Sequence, residues 1–193
     1  MHEWARLDLY ARFNARWFES ARGYEPSGEH VTAFREAMPD AWRLERRGLW
    51  WVAEAPGVTL LAQGWKLHVT APSARSTEVL RRALPHLLDA HATFKFLLDP
   101  ATVAAANGKL WARAAGGKFI TIYPPDDDAL HALAERLTAA LDDVAGPYVL
   151  SDLPNPASVF CAIDATRPFT TAKTPVMVRS VVTSSAQLDR CLR

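Results

Sequence analysis

The chain has 193 residues, 49% hydrophobic and 22% charged, and its 22 Lys and Arg nearly balance 21 Asp and Glu, for a net charge of +1. This is ordinary globular composition for a single domain that can bury a sizeable core. As whole-chain readings it excludes the strongly basic balance of a nucleic-acid binder and the aromatic-poor, highly charged make-up of a disordered chain.

In chain order, residues 3–20 carry a helical stripe of Trp4, Leu7, Tyr10, Ala11, Trp17 and Phe18, interrupted by Asn14 and ended by Gly23, Pro26 and Gly28. A short helix is predicted over 30–38, stopped by Pro39. Ala41 to Glu54 reads as a hairpin turning near Gly48, with Trp42, Leu44, Trp50 and Val52 as buried candidates. Five of the seven tryptophans fall in the first 51 residues, which fits a packing layer better than a ligand cage. Pro56-Gly57 marks a boundary.

Residues 64–70, GWKLHVT, alternate as a strand, with Trp65, Leu67 and Val69 on one face and Lys66, His68 and Thr70 on the other. A helix is predicted over 74–90, capped by Ser73 or Ser76 and kinked or split by Pro85. Residues 93–97, TFKFL, form a strand with Lys95 opposite Phe94 and Phe96 in face; a short helix follows over 100–107. Gly116-Gly117 opens a strand, KFITIY, closed by Pro124-Pro125. Residues 126–144 carry the clearest helical stripe, and Gly146-Pro147 stops it. A further strand is predicted to begin at Val149-Leu150. Residues 164–193 lack periodicity and read as a weakly ordered tail.

Together these elements predict an α+β fold: a short, largely antiparallel sheet with packed helices in a single domain. The division expected is an N-terminal helical segment over 1–40, the main domain over 41–163 and the tail over 164–193. Cys161 and Cys191 make neither a disulfide framework nor a metal site. No basic stretch followed by an apolar core opens the chain, and no apolar run approaches the ~18 residues of a membrane span. A soluble cytoplasmic protein with no membrane or nucleic-acid partner is the expectation.

Three strands present basic side chains beside apolar ones: Lys66 with His68, Lys95, and Lys118. A lone strand lysine is ordinarily a solvated surface residue. Three strands doing this also fit a shared cationic cleft for an anion such as phosphate; the pattern alone leaves both readings open. Gly117-Lys118 is not a P-loop, because Phe119 follows the lysine and Ala112 stands where the first glycine belongs. The six histidines show no zinc spacing, and no nucleophile-elbow motif is present.

The order Gly64-Trp65-Lys66-Leu67-His68-Val69, Phe94-Lys95-Phe96, Asn107-Gly108-Lys109, Gly117-Lys118-Phe119-Ile120-Thr121-Ile122-Tyr123-Pro124, Gly146-Pro147 and Ser151-Asp152 resembles the N-terminal lyase domain of class III and IV lanthipeptide synthetases, the RamC-like proteins. More distantly it is similar to the bacterial effector phosphothreonine lyases. The resemblance spans roughly residues 40–160. It implies a metal-independent, cofactor-free phosphoserine/phosphothreonine lyase that eliminates phosphate to leave dehydroalanine or dehydrobutyrine in lanthipeptide maturation. Its implied partner is a phosphorylated precursor peptide, supplied by a separate kinase or lanthipeptide synthetase.

By the same resemblance Lys95 is the general base, which requires a lysine made less basic by neighbouring cations. His68 is the general acid, held protonated by the substrate phosphate. Lys66 binds phosphate or stabilises the enolate-like transition state, Arg113 and Lys118 bind phosphate, and Tyr123 orients the reacting groups. For Arg113, Lys118 and Tyr123 a purely structural role is the competing reading.

The chain departs from the pattern at two arginines that bind phosphate in the family, replaced by Leu153 and Ile163. Charge-assisted hydrogen bonds contribute ~1.5–3 kcal/mol each, so losing two would cost roughly 3–6 kcal/mol, about 10²–10⁴ in affinity or rate. The alternative reading is therefore a catalytically impaired lyase-like fragment, or a module that binds a leader peptide or partner.

Overall fold

A computed structural model describes residues 23–59, 63–109, 111, 115–149, 152–154 and 159–165. The helix predicted over 3–20, Arg113 and, apart from 164–165, which are part of a strand, the tail predicted over 164–193 lie outside the described residues. In chain order the elements are α1 (Glu29–Ala37), β1 (Arg43–Arg47), β2 (Trp50–Glu54), β3 (Gln63–Val69), a 3₁₀ turn (Ser73–Arg75), α2 (Ser76–Asp89), β4 (Thr93–Leu97), α3 (Pro100–Ala106), β5 (Ile120–Tyr123), α4 (Asp127–Ala140), β6 (Leu153–Pro154) and β7 (Val159–Ala165).

The strands form one sheet in the order β1-β2-β4-β5-β3-β7-β6, with every neighbouring pair antiparallel. The predicted α+β class with an antiparallel sheet is what forms. β1 and β2 are joined by a two-residue turn, Gly48-Leu49, with Gly48 at φ 64°. Positive φ at the first loop position is the geometry that matches strand twist in a tight hairpin, and glycine adopts it without strain.

Side-chain alternation divides the sheet. One face carries Phe94, Phe96, Leu67, Val69, Ile120 and Ile122, all fully buried. Phe34 of α1 lies 5.9 Å from Phe94 and 5.7 Å from Phe96 between ring centroids, and Trp42 lies 6.0 Å from Phe94. Val79, Leu80, Ala83, Leu84 and Leu87 of α2, with Leu130, Leu133 and Leu137 of α4, complete the same core. These are the helical positions spaced three and four apart that the sequence stripes mark. Burying a single such Leu contributes roughly 1.5–3 kcal/mol. In β3, β4 and β5 these apolar positions are thereby committed to the helices, and the alternate positions carry Lys66 and His68, Thr93 and Lys95, and Thr121 and Tyr123.

Several local expectations are corrected. Pro85 neither splits nor ends α2, which runs unbroken. Pro85 and Arg81 are on the exposed side of the helix, where water can satisfy the Arg81 carbonyl that the proline ring leaves without a donor. Neither Ser73 nor Ser76 caps α2 through its side chain. The Ser76 hydroxyl instead lies 2.8 Å from the Ser73 carbonyl and 2.9 Å from His30 Nε2. The strand predicted from Lys118 begins at Ile120, because Gly117 (φ 76°) ends a turn just before it. Of the four hairpin candidates, Trp42 and Val52 are buried, whereas Leu44 and Trp50 are only half-buried. Val149 lies in a loop, and pairing resumes at Leu153.

β7 is a strand the sequence did not reveal. It pairs with β3 over seven residues, Gln63↔Ala165 to Val69↔Val159.

Candidate active site

Registers across the three central strands set the site. Lys95 on β4 is directly opposite Thr121 on β5, and Thr121 is directly opposite His68 on β3. Opposed residues of an antiparallel pair project to the same face. Lys95, Thr121 and His68 therefore form one row across the sheet, with the two outer residues two strand spacings apart, roughly 9–10 Å. Lys66 and Tyr123 lie two residues along on the same face, and the Lys66 ammonium sits 5.6 Å from the centre of the Tyr123 ring. All five side chains stand on the face opposite Phe94, Phe96 and Ile122. The alternation Lys-x-His, Phe-Lys-Phe and Thr-x-Tyr is what puts them there.

Two loop segments bring in the remaining charges. Lys118 follows the turn at Gly117, and a Cβ at Gly117 would meet Pro147 at 3.4 Å. That close approach packs residues 147–149 against the Lys118 turn. Asp152 N donates to the Val149 carbonyl at 3.3 Å, directly before β6. The Asp152 side chain is fully buried, and its two oxygens divide their work. His68 Nδ1–H donates to Oδ2, and Lys118 Nζ lies 3.3 Å from Oδ1.

Asp152 is the functional residue missed from sequence. The Ser151-Asp152 motif marked it, but its role needed the fold, because 84 residues separate it from His68. Thr121, between Lys95 and His68, was missed too; its only signal is its phase with Tyr123 in the KFITIY strand. Of the predicted residues, Lys66, His68, Lys95, Lys118 and Tyr123 are brought together around one patch, and Arg113 lies outside the described residues.

The site is electropositive around His68. Lys66 and His68 are both buried, and the charges of Lys66 and Lys118 act on His68 against the single carboxylate of Asp152. Burial is the main cause that pushes His68 down to about 4; the Lys118 and Lys66 charges act in the same direction, and the Asp152 hydrogen bond and charge oppose them. His68 therefore rests neutral, with its proton on Nδ1 toward Asp152 and its Nε2 lone pair available.

Between about pH 6.5 and about pH 4 the unfolded chain binds a proton at this residue and the folded chain does not. Stability is therefore present above pH 6.5 and lost as pH falls toward 4, by up to about 3 kcal/mol from this group. His30, also pushed down by burial, adds in the same direction. Urea midpoints measured from pH 7 to pH 4 are expected to fall, and His68→Asn should flatten part of that slope. An equal slope in the variant would contradict the assignment.

At position 163 the backbone register is informative. Position 163 is opposite Trp65 and position 162 is opposite Lys66. Position 163 therefore stands on the face of the sheet away from Lys66 and His68.

Comparison with known proteins fits this geometry. A family described as RamC, N-terminal domain, matches residues 30–161. The chain is 35% identical over 116 residues to a protein of Streptomyces coelicolor named "Probable SapB synthase"; the match covers 60% of this chain and 12% of that protein. The chain thus spans a small part of the relative's length. Among solved structures, the type III effector/phosphothreonine lyase OspF from Shigella flexneri matches with TM-score 0.54 at 15% identity, covering 82% of this chain and 86% of that one. The Chromobacterium violaceum VirA (SpvC) phosphothreonine lyase effector matches with TM-score 0.50 at 17% identity, covering 84% and 86%. At these identities the likeness is one of fold.

Proposed function

Since the chain belongs to the RamC N-terminal domain family, we propose that it is a metal-independent lyase that eliminates phosphate from phosphoserine or phosphothreonine of a precursor peptide in lanthipeptide maturation. The observation that carries this reading is the row Lys95–Thr121–His68 across three adjacent strands, with Lys66, Lys118 and Asp152 beside it.

β-Elimination needs a base at the α-carbon, an acid at the departing oxygen and positive charge around the phosphate. In this reading the free amine of Lys95 takes the α-proton. The C–H electron pair becomes the Cα=Cβ bond as the Cβ–O bond breaks. The departing phosphate oxygen takes a proton from His68 Nε2. Lys95 ends as an ammonium, His68 ends neutral, and the products are dehydroalanine or dehydrobutyrine and inorganic phosphate. Lys66, beside Tyr123 in the same face, is placed to stabilise negative charge building on the substrate carbonyl. Lys118 is placed to meet the phosphate.

Neutral His68 must gain a proton before it can give one. A phosphate near −2 charge supplies the field for that. The imidazolium then donates from Nδ1 to Asp152 and from Nε2 to the leaving group. Binding of inorganic phosphate at pH 7 is therefore expected to take up protons, measurable by calorimetry in two buffers of different ionisation enthalpy. Equal heats in the two buffers would count against His68 as the acid.

The direct test is incubation with a phosphoserine peptide in the presence of EDTA, with product masses followed by mass spectrometry. Loss of the elements of phosphoric acid supports the lyase. Leu153, directly after Asp152, favours a second reading, a phosphopeptide-binding module without turnover, whereas position 163 faces away from Lys66 and His68 and bears on neither reading. Binding of the peptide with no change in its mass would favour that reading.

A further inference from the structure

The Lys95 ammonium lies 4.6 Å from the centre of the Trp50 ring, over its face. This contact follows from the sheet. Val52 is directly opposite Lys95 and Trp50 is opposite Leu97, so Trp50 is the diagonal same-face neighbour of Lys95 on the adjacent strand. A diagonal pair is within reach of a long side chain and a large ring. The sequence pattern assigns Trp50 to a packing layer, yet it is only half-buried, and its face meets the one lysine from which the proposed reaction requires a free amine.

An indole face attracts a cation and not a neutral amine. Other groups around Lys95 act differently. Thr121 and Tyr123 face it from β5. Beyond them Lys66 and neutral His68 stand on β3, with Lys118 and Asp152 from the loops. Lys66 and Lys118 are like charges that favour the free amine. On the opposite side, Glu54 of β2 and Glu45, Arg43 and Arg47 of β1 form their own network. Arg47 Nη2 lies 2.7 Å from Glu45 and 2.8 Å from Glu54, and Arg43 lies 3.9 Å from each. Arg47, directly opposite Trp50, is held by those carboxylates, and their charge is largely compensated.

Resting on the reading of Lys95 as base, we propose that Trp50 is a positioning residue: its indole face parks the Lys95 ammonium at the β2 side of the site and sets the pH at which the amine is released. The lysines of the site push Lys95 toward its reactive form, and Trp50 holds it back. A residue that only packs would not move this balance.

The experiment compares the full chain with Trp50→Phe and Trp50→Leu. The pH dependence of Lys95 acetylation by acetic anhydride is followed by peptide mass spectrometry, because only the unprotonated amine reacts. The midpoint is expected to drop by about 0.4–1.5 pH units in Trp50→Leu. It should drop less in Trp50→Phe, which keeps a smaller ring. The acid limb of kcat/KM for a phosphoserine peptide should move by the same amounts. One midpoint shared by all three proteins would overturn the proposal. If Trp50→Leu fails to fold by circular dichroism, the Trp50→Phe comparison decides alone. A wild-type chain that never releases phosphate would count against the lyase reading, while the acetylation midpoints still decide the role of Trp50.

Discussion

Lys95→Ala is expected to lower phosphate elimination by about 10²–10⁴-fold, the range for loss of a positioned general base, with kcat falling far more than KM rises. The reason lies in the register. Lys95 is separated from His68 by the single strand that carries Thr121. No other described lysine occupies that side of the row, because Lys66 and Lys118 are on the His68 side, next to Tyr123 and Asp152. The fold should survive, since Lys95 is half-buried and the core is on the opposite face. Steady-state kinetics with a phosphoserine peptide, alongside thermal melting, check this. Turnover within tenfold of wild type would remove Lys95 from the chemistry.

Asp152→Asn should have the second large effect, a fall in kcat of about 10²-fold or more. In the proposed reaction the carboxylate fixes the His68 tautomer that leaves Nε2 toward the substrate, and it stabilises the imidazolium that forms when phosphate binds. It also anchors Lys118. Asparagine keeps the size but loses the charge, so the proton that His68 must acquire becomes harder to hold. Asp152→Ala should in addition destabilise the fold, by about 3–5 kcal/mol, because it leaves Lys118 and His68 without their buried partner. Urea unfolding separates the two variants. Unchanged kcat in Asp152→Asn would mean that His68 needs no carboxylate and is not the acid.

What could be read from the sequence follows from the range of each signal. Strands β3 and β4 alternate cleanly, so the sidedness of Lys66, His68 and Lys95 was visible in their period alone. The stripes of α2 and α4 were visible for the same reason. β7 was hidden because VFCAIDA has no clear polar–apolar alternation; it is a strand because β3 offers a ladder partner, a contact that spans most of the domain. Asp152 could be marked as part of a motif but not given a role, because its partnership with His68 spans 84 residues of sequence. Trp50 was assigned to packing because composition does not show which face of an indole a lysine will meet. Pro85 misled in a different way: a rule about lost hydrogen bonds costs little where the orphaned carbonyl faces water.

The proposed elimination depends above all on removal of the α-proton, so the measurement to make is elimination from a peptide carrying α-deuterated phosphoserine, with EDTA present. The expected result is a dehydroalanine product that has lost the deuterium, slower turnover than with the protonated peptide, and product formation lowered by about 10²–10⁴-fold with Lys95→Ala. A dephosphorylated serine peptide that keeps its deuterium would show hydrolysis instead, and a peptide that remains unchanged with the folded protein would show no turnover. Either result would rule out Lys95-driven β-elimination by this protein.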